Sequence, residues 1–149
     1  MHANRPTDER QQIAQHAALC RLRRAQRAEG RRIRQAVADG YALTPAHLTS
    51  PCRVAALAEA RQVAMYLMRT RLLWPMPTRN REFPTARIGR LLGHHDLSTV
   101  LHGVTVIAAR LASGRQEDAS LRHMVRAIDA TLDGTYEGAG EDTPAWRAA

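Results

Sequence analysis

Residues 84 to 111, PTARIGRLLGHHDLSTVLHGVTVIAARL, read as two short helices joined by a glycine turn. Ile88, Leu91 and Leu92 fall on one face at helical spacing, with Thr85 as the expected N-cap and Gly93 as the stop. In the second segment Val100, Val104, Ile107, Ala108 and Leu111 form an apolar stripe, and Ser98, Thr99 and His102 point away from it. A buried face therefore separates from a face of short polar side chains, the layout of a helix-turn-helix that reads DNA.

The flanking chain is also helical in pattern. Residues 54 to 73 carry Leu57, Arg61, Ala64, Leu67 and Met68 at helical spacing until Pro75 and Pro77 end the run, and Met65, Tyr66 and Met68 are expected at the core or its rim. Residues 8 to 39 predict either one long helix or two with a break near Gly30, with Ile13, Ala17, Cys20, Ile33 and Val37 as apolar positions. Between these, residues 42 to 51 read as a turn with a short helical piece around Leu48. A last amphipathic helix is expected near 116 to 132, with Leu121, Met124, Val125, Ile128 and Leu132 inward. The tail from Asp133 is Gly-rich, acidic and aperiodic, and is expected to be disordered.

With 149 residues, 44% hydrophobic and only 4% aromatic, the chain suits one all-α domain whose core is Ala, Leu, Ile and Val. The net charge of +8 is unevenly placed. Residues 21 to 34 hold seven Arg against one Glu, residues 53 to 90 hold eight Arg against two Glu, and the tail from Asp133 holds four acids against one Arg. Two basic blocks favour a polyanionic partner, nucleic acid first, although solubility alone also calls for charge. The 22 basic residues are all Arg, which together with the abundant Ala reads as GC-rich coding rather than chemical selection for guanidinium. Cys20 and Cys52 lack metal-ligand spacing and read as small packing residues, not a disulfide. No signal core and no apolar run of membrane-spanning length is present, so a cytoplasmic, nucleoid-associated protein with no membrane partner is expected.

IGRLLGHHDLSTVLHG at 88 to 103 resembles the C-terminal DNA-binding domain of the bacterial replication initiator DnaA, whose signature runs roughly IGxxFGGRDHTTVLHA. Ile88, Gly89, Gly93, Asp96, Thr99, Val100, Leu101 and His102 match it, and Ser98 is a conservative match. ARQVAMYL at 60 to 67 is similar to the family's PRQxAMyL helix. The stretch from Val37 to Gln62 aligns without a gap through Tyr41, Leu43, Leu48 and Ser50. The resemblance covers about residues 31 to 132. It implies a Trp-repressor-like bundle of about five to six helices, preceded by a basic helical extension (1 to 30) and interrupted by an insertion at 74 to 83.

On that reading Asp96 caps the recognition helix and faces the bases, and Leu97, where the family has His, meets a thymine methyl group. Ser98 and Thr99 are the first choice for base contact. His102, one turn on, reaches a base edge or a phosphate. Backbone phosphates are assigned to Arg53, Arg61, Arg79, Arg81, Arg87, His94 and His95. His94 and His95 replace Gly and Arg of the family, with partial protonation letting His95 stand in for the Arg. A metal at His94, His95 and His102 is not expected, since companion Cys or acidic ligands are missing. Glu59 stands where relatives carry an Arg that enters the minor groove, which implies that the minor-groove and phosphate clamps have moved, to Arg79 and Arg81 in the insertion or to the N-terminal Arg block.

The chain has no GKT/S phosphate loop and no GxSxG or HExxH motif, so neither nucleotide nor cofactor nor enzymatic activity is expected of it. Three roles remain: a transcriptional regulator, favoured by analogy with single reading domains; a replication-linked protein at initiator-type sites; and an adaptor that has lost DNA binding. The N-terminal helix is either a solvated extension or an accessory contact to DNA or to a transcription or replication protein.

Overall fold

In the computed structural model, which describes residues 5–72 and 83–134, six α-helices surround one aliphatic core: α1 Arg5–Gly40, α2 Pro45–Thr49, α3 Ala55–Arg71, α4 Thr85–Leu91, α5 Leu97–Ala112 and α6 Ala119–Leu132. A 3-10 turn, Gln116–Asp118, leads into α6. Among the described residues there is no strand. Arg79, Arg81 and most of the insertion lie outside the described residues, as does the tail from 135 onward.

Helix α3 is central because its apolar residues surround it. Leu57, Ala60, Val63, Ala64, Met65, Leu67 and Met68 are all buried, against α5 on one side and α1 on another. Each fully buried Leu, Val or Met contributes roughly 1.5–3 kcal/mol. Met65 and Met68 are core residues and Tyr66 lies at the rim, as their spacing requires. In α6, Leu121, Val125, Ile128 and Leu132 close the far side. Arg71 at the end of α3 bridges Asp129 (2.8 Å) and Asp133 (2.5 Å), holding the end of α6 in place.

The N-terminal segment forms one helix of 36 residues with no break at Gly30. Gly30 is buried where α1 crosses α4, and a Cβ there would come within 2.9 Å of Leu91 Cδ1. Close approach of two helices, not a stop, accounts for this glycine. Ile33 and Val37 are buried, whereas Ile13 is 69% exposed because the first half of α1 runs beyond the core.

Other expectations change locally. Pro84, not Thr85, caps α4, so Thr85 is already the first helical residue and no side chain bonds the helix end. Ala108 is exposed, and Gly103 takes its place in the buried stripe of α5 because α3 passes close by: a Cβ on Gly103 would meet Met65 Sδ at 2.8 Å. Cys52 is exposed and Cys20 half-buried, both as free thiols, so only Cys20 has any packing role.

Candidate nucleic-acid interface

The start of α5 is built by Asp96. Its Oδ1 accepts from the Thr99 backbone N–H at 2.6 Å and from the Ser98 hydroxyl at 3.0 Å, which fixes the first turn. The Thr99 amide, then the Thr99 and Ser98 side chains, hold the carboxyl below its usual range, so Asp96 stays ionised at the positive end of the helix. The outward face of the next two turns carries Leu97 (54% exposed), Ser98, Leu101 (50% exposed) and His102.

The turn into α5 is set by backbone conformation. Gly93 has φ +94°, and a Cβ there would lie 2.4 Å from Thr49 O. His94 also sits in the left-handed region, φ 66°, with its side chain exposed to solvent. Gly89 lets the turn close over α4, since its Cβ would fall 2.2 Å from His95 O.

Between this turn, the α2–α3 connection and the start of α3 lies an open cleft of about 590 Å³. Thr49, Ser50, Arg53, Gln62, His95, Thr99 and His102 line it. Arg53 and His102 are exposed at its edges. Polar donors from four chain segments thus converge beside the α5 N-terminus, where a phosphodiester chain would pass if α5 lay in a groove. Thr49, Ser50 and Gln62 were not assigned to the site from sequence. Thr49 and Ser50 join it because the α2–α3 connection lies beside the start of α5, and Gln62 because α3 packs against α5.

Arg61, expected at a phosphate, is buried beneath this cleft and serves the fold. Its Nε donates to Leu48 O at 2.9 Å, Nη2 to His47 O at 3.0 Å and to Ser50 O at 2.5 Å, and Nη1 to Cys52 O. The guanidinium therefore gathers the carbonyls of the connection that presents Ser50 and Arg53, and its donors are engaged internally. His95 also departs from expectation. Burial, then the nearby charge of Arg61, pushes its imidazole below the ordinary value, so it is largely neutral where partial protonation was expected. Its Nε2 is buried without a hydrogen-bond partner.

Arg87 lies away from this cleft, half-buried on the flank of α4 that faces α1. Glu59 is engaged within the fold: Arg110 Nη1 donates to its Oε2 at 2.8 Å and Tyr41 Oη to its Oε1 at 3.0 Å. Among the described residues, no three His, Cys, Asp or Glu side chains converge as metal ligands. No single helix among them is long and apolar enough to cross a membrane.

Comparison with known proteins agrees with this geometry. Residues 31–107 match the family described as bacterial dnaA protein helix-turn-helix. The chain is 33% identical over 104 residues to the chromosomal replication initiator protein DnaA of Spiroplasma citri, covering 70% of this chain and 20% of that protein. It is 35% identical over 102 residues to the same protein of Paraburkholderia phymatum and of Burkholderia multivorans, covering 68% of this chain and 17% of each. The chain thus spans a fifth or less of the length of the relatives it matches. With the match running from α1 through most of α5, across the Gly93 turn and the Asp96 cap, the chain belongs to the bacterial DnaA helix-turn-helix family.

Proposed function

We propose that this chain binds duplex DNA in a sequence-specific manner and acts as a transcriptional regulator in the bacterial cytoplasm, associated with the nucleoid. The observation that carries DNA reading is the start of α5: an Asp96-capped helix end that exposes Leu97, Ser98 and His102, flanked by a polar cleft with Arg53 at its edge. Asp96, Leu97, Ser98, Thr99 and His102 supply base contacts in this reading, and Arg53, His94 and His95 lie beside the backbone. His95 acts there as a neutral hydrogen-bonding group. A clamp at Arg79 and Arg81 remains part of the proposal.

Replication-linked binding at initiator-type sites is the second reading, favoured by the relatives, which are replication initiators by name. The first half of α1, with Ile13 exposed, offers a surface for a transcription or replication protein. A genome-wide binding profile separates the two roles. Occupancy concentrated at promoters supports regulation of transcription, and occupancy at origin sites supports the replication role. Failure of the purified chain to retain any duplex DNA overturns both and leaves a protein adaptor.

A further inference from the structure

A second basic site lies on the opposite flank of α4. Arg23 and Arg27 of α1 meet Arg87 and Arg90 of α4 around a cleft of about 210 Å³, with Phe83 and Leu91 as its apolar floor. The cleft exists because α1 continues unbroken through Gly30, which lets it lie close against Leu91. Arg34 Nη1 donates to Leu91 O at 3.0 Å and pins the crossing.

Four guanidinium groups so placed repel one another. Burial, then the charges of Arg23, Arg27 and Arg90, push the Arg87 guanidinium below its ordinary value. Among the described residues no carboxylate lines the cleft. Arg23 Nε is buried without a hydrogen-bond partner, and neither Arg23, Arg27 nor Arg90 forms an ion pair with a described residue. Glu29, the acid nearest in sequence to Arg23 and Arg27, is engaged by Arg32 at 2.6 Å. Arg23, Arg27 and Arg90 are thus held around Arg87 at a cost that an anion with several oxygens removes.

We infer that the cleft between α1 and α4 binds a phosphodiester of the DNA backbone outside the groove occupied by α5, extending the contact beyond the helix-turn-helix. The inference rests on the proposed DNA reading. The first helix of a helix-turn-helix crosses the DNA backbone, so the outer flank of α4 faces the continuing phosphates. Arginine forks match phosphate oxygens in pairs, and a contact that reaches only the backbone is independent of sequence.

The test compares wild type, Arg23→Gln with Arg27→Gln, and Arg90→Gln on two duplexes, one limited to the selected recognition site and one extended by random flanks on both sides. Salt titrations are run on each, with thermal unfolding to check the fold. On the extended duplex each variant should show a log-log salt slope flatter by about one unit per lost phosphate, and binding about tenfold weaker near 0.1 M salt. The short duplex should bind all three proteins alike. Unchanged affinity and slope on the extended duplex overturn the inference, and retained site preference in wild type then leaves the DNA reading standing. Tighter DNA binding by the variants also overturns it and points to an acidic segment of the chain as occupant. If wild type binds no duplex, inference and reading fall together.

Discussion

Glu59 on α3 and Arg110 in the last turn of α5 are joined at 2.8 Å, and Arg110 Nε also donates to the buried Asp118 at 2.7 Å. This cluster lies about 20 Å along α5 from the Asp96 cap. Burial, then the Glu59 charge, pushes the Tyr41 phenol upward, so Tyr41 remains a donor to that carboxylate. From sequence, Glu59 replaces an arginine of relatives and its reversal to Arg should strengthen DNA binding. Its pairing predicts otherwise. Glu59→Arg should lower the melting temperature by setting two guanidinium groups together, and a double-mutant cycle of Glu59→Gln with Arg110→Gln should give a coupling of about 0.5–1 kcal/mol. A stable Glu59→Arg protein with tighter DNA binding would sink this account.

Arg61→Met should destabilise the fold by about 2–4 kcal/mol, because several carbonyls of the α2–α3 connection lose a charged donor in a buried place. Arg61→Lys should rescue only part, since one ammonium cannot reproduce the fork. Urea unfolding measures both. A loss no larger than for an exposed arginine would show that the connection holds itself.

The His95 imidazole contributes a defined pH dependence. Its folded value lies below that of the unfolded chain, so as pH falls below about 6.5 the unfolded state takes up the proton first and stability drops. Above that range both states are neutral and the term vanishes. His95→Gln should flatten the stability profile between about pH 6.5 and 5. An unchanged profile, measured by chemical unfolding at several pH values, assigns the slope to other groups.

Gly89→Ala and His94→Gly should act in opposite directions. A methyl group at Gly89 would collide with His95 O, part of the backbone of the turn, and should lower the melting temperature markedly. Replacing the exposed, left-handed His94 by Gly should stabilise by about 0.5–1 kcal/mol. Calorimetry on both proteins checks the pair; destabilisation by His94→Gly would mean that its imidazole makes a contact in solution.

Ser98→Ala with Thr99→Ala should reduce preference for the cognate site while leaving random DNA bound nearly as well, with each good base contact contributing roughly 1–3 kcal/mol of discrimination. Competition binding with cognate and scrambled duplexes measures it. Equal weakening on both would remove these side chains from sequence reading.

Helical periodicity alone determined that residues 84 to 111 form two helices about a Gly turn and that α3 and α6 bury their apolar stripes, because those signals repeat within a few residues of chain. The Asp96 cap was legible for the same reason: donor and acceptor are three residues apart. What the side chains of Arg61, Glu59, His95 and Arg87 face was not legible. Arg61 looked like a phosphate ligand until the connection at 47–52 folded onto it, and Glu59 looked like a carboxylate beside the minor groove until α5 brought Arg110 alongside. Gly30 read as a possible break, whereas its role is set by Leu91 on another helix. A charge has no periodicity to betray its partner, and burial of a polar group is decided by which segments meet, so those assignments belong to the tertiary structure.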